Sequence, residues 1–103
     1  MGFQHEFSLK AKDDLLEIIS YYADKKGTRQ TAERFNRYVF EKISLICENP
    51  YMYPVHHNER LALLGIRFAT VWRYLILYIT NENTRIVTIL RIIHGKRDLN
   101  KIT

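Results

Sequence analysis

The chain has 103 residues, of which 47% are hydrophobic and 26% charged, with four glycines and two prolines. That balance fits one folded domain over residues 1–103 and excludes a disordered or low-complexity chain. The formal net charge of +5 lies wholly in the second half: residues 1–50 carry eight cations and eight acids, residues 51–103 eight cations and three acids.

Phe3, His5 and Phe7 alternate with Gln4 and Glu6, which predicts a short first strand. Ser8 stands where an N-cap would. From Leu9 to Lys26 the apolar residues Ala11, Leu15, Ile18, Ile19 and Tyr22 recur at helical spacing and mark one buried face. Gly27 follows Lys25 and Lys26, as a C′ glycine follows a basic last turn. A second helix is expected from about Thr28 to Glu48, with Ala32, Phe35, Val39, Ile43 and Ile46 as its buried stripe and Asn49-Pro50 as its stop. So short a connection makes the two an antiparallel hairpin.

Residues 50–60 hold two prolines, two tyrosines and the pair His56-His57 with no period, and read as a loop. Leu61 to Ala69 then reads as a strand with Gly65 at a bulge or turn. Val71 to Thr80 reads as a strong strand, Asn81-Glu82-Asn83 as a turn, and Arg85 to Ile93 as another strand. This last pair forms an antiparallel hairpin. Both of its strands are apolar on both faces, so they should be central and partly covered on each side. The order β-α-α-β-β-β gives an α+β fold: a helical hairpin packed on one face of a small, mostly antiparallel sheet.

No apolar run approaches the roughly 20 residues that span a bilayer, and no basic and apolar leader opens the chain, so the expected compartment is the cytoplasm. The lone Cys47 excludes an internal disulfide and fits a small buried hydrophobe in a reducing compartment. His56, His57 and Cys47 lack ligand spacing and a fourth ligand, so neither a metal nor another cofactor is expected. Trp72, Tyr74 and Tyr78 share a strand face and could stack bases, although core or a partner's groove is the plainer use of such a face. The cations of the second half are mostly arginines (Arg60, Arg67, Arg73, Arg85, Arg91 and Arg97), whose planar forks suit carboxylate or phosphate. A surface that meets something acidic is the expectation.

Several motifs add to this reading. They are Lys12-Asp13-Asp14-Leu15 with Ile18, Tyr21 and Gly27; Ala32 and Phe35; and Asn49-Pro50 with Pro54. The sharpest are Gly65-Ile66-Arg67, Arg73-Tyr74-Leu75-Ile76-Leu77-Tyr78, and the run from Ile89 through Arg91 and His94-Gly95-Lys96-Arg97-Asp98 to Leu99. In these the chain resembles the RelE/ParE superfamily of bacterial type II toxin–antitoxin toxins, and more closely the ParE branch.

The resemblance implies two helices on a small curved sheet. It also implies a cognate antitoxin whose flexible, acidic C-terminal segment wraps the toxin in a hetero-oligomer. ParE-like members, the toxins of plasmid-stabilisation modules, are implicated in inhibiting DNA gyrase by binding alone. On that reading no residue is catalytic, and Arg67, Arg73, Tyr74, Tyr78, Arg91, His94, Lys96 and Arg97 are contact residues for antitoxin or target. RelE-like members instead cleave mRNA on the ribosome. Here no lysine falls between Lys42 and Lys96 and no tyrosine follows Tyr78, so the lysine and tyrosine set of that branch is missing. A nuclease would have to use His94 as acid and Glu59 or His57 as base, with Arg67 and Arg91 on the phosphate. A third reading is an antitoxin-binding homologue without toxicity. Arg73 and Arg91 could also simply pair with Glu59, Glu82 or Asp98.

Overall fold

The first strand, β1 (Gln4–Phe7), leads through Ser8 into α1 (Leu9–Tyr21). The computed structural model describes residues 2–96, so the expectations placed on Arg97, Asp98 and Leu99 lie outside the described residues. Ser8 is extended and its hydroxyl accepts the Ala11 N–H, as an N-cap should. Ala11, Leu15 and Ile18 are buried along one face. The α-helix stops short of Lys26, because Tyr22–Lys26 form a π-helical turn. Gly27 is extended at φ −165°, so the left-handed glycine end expected there does not form. The wider turn ends the helix instead and sets the Tyr22 ring 5.6 Å from Phe35 and 5.1 Å from Trp72.

Thr28 caps α2 (Arg29–Glu48) by accepting the Thr31 N–H. Ala32, Phe35, Val39, Ile43 and Ile46 are all buried, the stripe that the spacing predicts. Cys47 joins them as a small hydrophobe, and burial pushes its thiol pKa up.

Beyond Asn49 and Pro50 the structure departs from the sequence reading. Residues 59–63, read as loop up to Arg60 and strand from Leu61, form a short helix, α3 (Glu59–Leu63), capped by the Asn58 carboxamide on the Leu61 N–H. Its end is the glycine motif expected at Gly27. Gly65 sits at φ +78°, its N–H bonds Ala62 O, and Ile66 N–H bonds Leu61 O. Leu61 and Ile66 close this turn with a buried contact, joining Leu77 and Ile93 in a small second cluster. An unbroken apolar run hides such a helix, since neither period shows within six residues. Gly65→Ala has open space for its methyl but must adopt the left-handed backbone. It should cost about 1–2 kcal/mol, read as a shift of the urea midpoint with unchanged slope.

The run from Val71 to Thr80 is likewise not one strand. Trp72 (φ 53°) and Arg73 form a two-residue turn between β2 (Arg67–Val71) and β3 (Tyr74–Asn81), with Val71 opposite Tyr74. A tryptophan in left-handed backbone carries no turn signature, and its aromatic neighbours hold it there. A second turn, with Arg85 at φ 59°, leads to β4 (Ile86–His94).

The sheet order is β1-β4-β3-β2, with β1 parallel to β4 and the other pairs antiparallel. Thus β3 and β4 are central, as their two apolar faces require. The main core lies between the helical hairpin and Ile76, Tyr78, Val87, Ile89 and Ile92. The α3 cluster covers part of the opposite face.

Candidate functional site

β1 pairs with β4 only as far as Ile89, so the free edge of β4 meets α1 beyond that point. A bulge helps here: Leu77 lies opposite Arg91 and Tyr78 opposite Ile89, leaving Leu90 without a partner in β3. Side chains of α1 and its cap then replace the missing strand. The Ser8 hydroxyl donates to Leu90 O at 2.8 Å, and the Asp14 carboxylate accepts the Ile92 N–H at 2.9 Å. The same carboxylate grips Arg91 at 2.8 and 3.1 Å, with the two side chains only 12% and 15% exposed. The Asp14 bond holds the Arg91 guanidinium pKa above its ordinary value. Among the described residues Asp14, not Glu59 or Glu82, is therefore the partner of Arg91; Asp98 lies outside them. In the sequence Asp14 stands within the Lys12-Asp13-Asp14-Leu15 motif, which gives it no partner.

Past this clasp a groove of about 540 Å³ opens between the end of α1 and the ends of β3 and β4. Glu17, Tyr21 and Tyr22 form one wall, and Arg73, Tyr74 and His94 the other. Tyr74 and His94 face each other across the ladder with ring centroids 5.7 Å apart. Burial, then the neighbouring Tyr22, pushes the Tyr74 pKa up to about 12, so its hydroxyl stays protonated near neutrality. His94 accepts the Lys96 N–H at Nδ1, which places the proton of its neutral ring on Nε2. Beside the groove, Trp72 rests against Tyr22, Phe35 and Tyr38 with centroids 5.1, 5.1 and 6.0 Å away.

The predicted contact residues thus divide. Arg73, Tyr74 and His94 come together in the groove, and exposed Lys96 follows His94 two residues on and donates its N–H to that ring. Arg91 stands beside them but is held by Asp14. Tyr78 cannot serve as a contact surface: its side chain is fully buried and its hydroxyl donates to Pro50 O. Burial also pushes its pKa up. The stacking platform fails with it, since Trp72 lies in a turn and Tyr78 in the core.

Arg67 donates to Tyr53 O at 2.5 Å and lies 5.4 Å over the Tyr51 ring. It sits opposite Tyr78, four positions along β3 from Tyr74, or roughly 13 Å. His57 stacks on His56 in the loop before α3, and Glu59 opens that helix. None of Arg67, His57 and Glu59 lines the groove, so the set needed with His94 and Arg91 for a nuclease does not assemble there. His56, read from the sequence as a loop residue, is only 1% exposed.

The family model for the ParE toxin of the type II toxin–antitoxin system parDE matches residues 6–99. Among solved structures, the chain is similar to one from the chromosomal ParDE toxin–antitoxin system of P. aeruginosa, with a TM-score of 0.71 and 19% identity over 89% of this chain and 95% of that one. It is also similar to one from the RelBE2 toxin–antitoxin complex of Mycobacterium tuberculosis, with a TM-score of 0.61 and 20% identity over 91% and 99%. At these identities the likeness is one of fold. No curated protein sequence matches the chain significantly.

Proposed function

We propose that this chain, which belongs to the family of ParE toxins of type II toxin–antitoxin systems, inhibits DNA gyrase in the cytoplasm by binding it and is held inactive by a cognate antitoxin. The observation that carries the reading is the family match across residues 6–99, which takes in every described helix, strands β2 to β4 and the second half of β1. The site's chemistry agrees with binding. Arg91 and Arg67 are engaged within the protein, and Tyr74 keeps its proton. Arg73 and His94 line an aromatic groove, and exposed Lys96 donates its backbone N–H to His94. A flexible acidic antitoxin segment would find there both charge for its carboxylates and rings for an apolar anchor, and would order as it binds.

The test is to titrate the purified protein, freed of antitoxin, into gyrase supercoiling and DNA-cleavage assays. Supercoiling should fall and gyrase-linked linear plasmid should accumulate. Arg73→Ala and Lys96→Ala should each weaken inhibition by roughly tenfold or less, with the effect largest at low salt and fading as salt rises. No effect on gyrase at large molar excess, with mRNA cut on programmed ribosomes instead, would overturn the reading.

A further inference from the structure

The loop before α3 lies along the outer edge of β2 like a strap. Pro54 O accepts the Phe68 N–H at 3.2 Å, His56 N–H donates to Ile66 O at 2.9 Å, and Val55 bridges to Arg67. One imidazole ties its end. The Asn58 N–H donates to His56 Nδ1 at 2.9 Å, while the Asn58 carboxamide caps α3 through Leu61. His56 thus joins the strap to the helix that closes the second core cluster.

The ring is buried to within 1%. It stacks on His57 at 4.2 Å and 28°, with Phe68 edge-on at 5.3 Å. Since Nδ1 accepts, the neutral ring carries its proton on Nε2, and that buried atom has no hydrogen-bond partner among the described residues. A second proton would have to enter at Nδ1. It would set two donors face to face at Asn58 and leave a cation buried without an anion. The titratable group against the ring is His57; Glu59 on α3 is exposed, and Arg67 on β2 is turned toward the Tyr51 and Tyr53 carbonyls.

We propose that His56 is an acid-sensitive latch, and that taking up a second proton frees the strap from the β2 edge and uncaps α3. Opening would also release Arg67, whose guanidinium donates to carbonyls at the start of the same loop. Burial, and next the His57 charge, lower the His56 pKa in the closed state. The closed state is therefore fully favoured above the ordinary histidine pKa of about 6.5 and loses ground as pH falls below it. One extra proton in the open form raises the opening constant about tenfold between pH 7.5 and 5.5.

The experiment is amide hydrogen exchange on the full chain at these two pH values, corrected for intrinsic rates, alongside an NMR titration of the His56 ring. Protection of the Asn58, Leu61 and Phe68 amides should fall about tenfold at pH 5.5, while Phe35 and Val39 in α2 remain far better protected at both. His56→Asn keeps an acceptor near the place of Nδ1 but does not titrate, so its strap amides should lose the pH dependence. Strap amides equally protected at both pH values, or a His56 ring that titrates at its ordinary value, would overturn the latch, and the wild-type measurement decides even if the variant fails to fold.

Discussion

Asp14→Ala is expected to cost the protein about 3–5 kcal/mol of folding stability, the usual penalty for stranding one partner of a shielded ion pair. The loss falls on two groups at once. Arg91 is left as a charge with 12% of its side chain exposed, and the Ile92 N–H loses its acceptor at the uncovered edge of β4. Asp14→Asn keeps an acceptor for Ile92 but not the counter-charge, and should fall between the variant and wild type. Urea denaturation followed by far-UV circular dichroism measures both. Combining Asp14→Asn with Arg91→Met should cost at least 1 kcal/mol less than the sum of the single changes, since the charge needing a partner is gone. Wild-type stability to within about 0.5 kcal/mol in Asp14→Ala would reduce the clasp to an ordinary surface contact.

Phe35→Ala should be comparably severe, at about 3–5 kcal/mol. Phe35 is fully buried and its ring meets Tyr22, Trp72 and Tyr74 at centroid distances of 5.6, 5.1 and 5.4 Å. Removing it takes away the floor beneath the left-handed Trp72 turn. Trp72 is the chain's single tryptophan, so fluorescence reports on this place alone. Its emission should shift to the red in the folded variant, and the urea midpoint should drop with it. Unchanged emission would mean that Tyr22 and Tyr38 suffice to hold the turn.

The two long helices were legible because their apolar residues repeat over several turns and their ends carry Ser8, Thr28 and Asn49-Pro50. Five-residue α3 and the turn at Trp72 were not. Glu59–Leu63 runs into the apolar stretch that starts at Leu61, and Trp72 stands between Val71 and Arg73; segments so short fit helix and strand alike and tertiary contacts choose. Gly65 was marked as a break, but only the fold shows that it ends a helix. In the site, Arg73, Tyr74 and His94 were legible as a group because β3 and β4 form one hairpin and pair their ends. The grip of Asp14 on Arg91 spans 77 positions and depends on where the parallel β1 stops, which no local pattern encodes. Tyr78 was misread for a related reason: on a sheet apolar on both faces, alternation does not say which face the helices cover.

The position of β4 has a consequence for the making of the protein. It is the last described strand in the chain yet an inner strand of the sheet, so residues 4–7 wait for residues 86–89 before they can pair. Helical hairpins form quickly from near neighbours, whereas pairing across most of the chain comes late. At about 5–20 residues per second, a ribosome takes roughly 2–9 seconds to go from the end of α2 to His94. Through that interval the nascent chain carries a helical pair with its apolar stripes uncovered, a target for chaperones and proteases. Meanwhile the wall bearing Tyr74 and His94 is not yet in place. The groove is thus complete only once His94 has emerged, and any partner that reads it must wait for the whole stretch from Asp14 to His94.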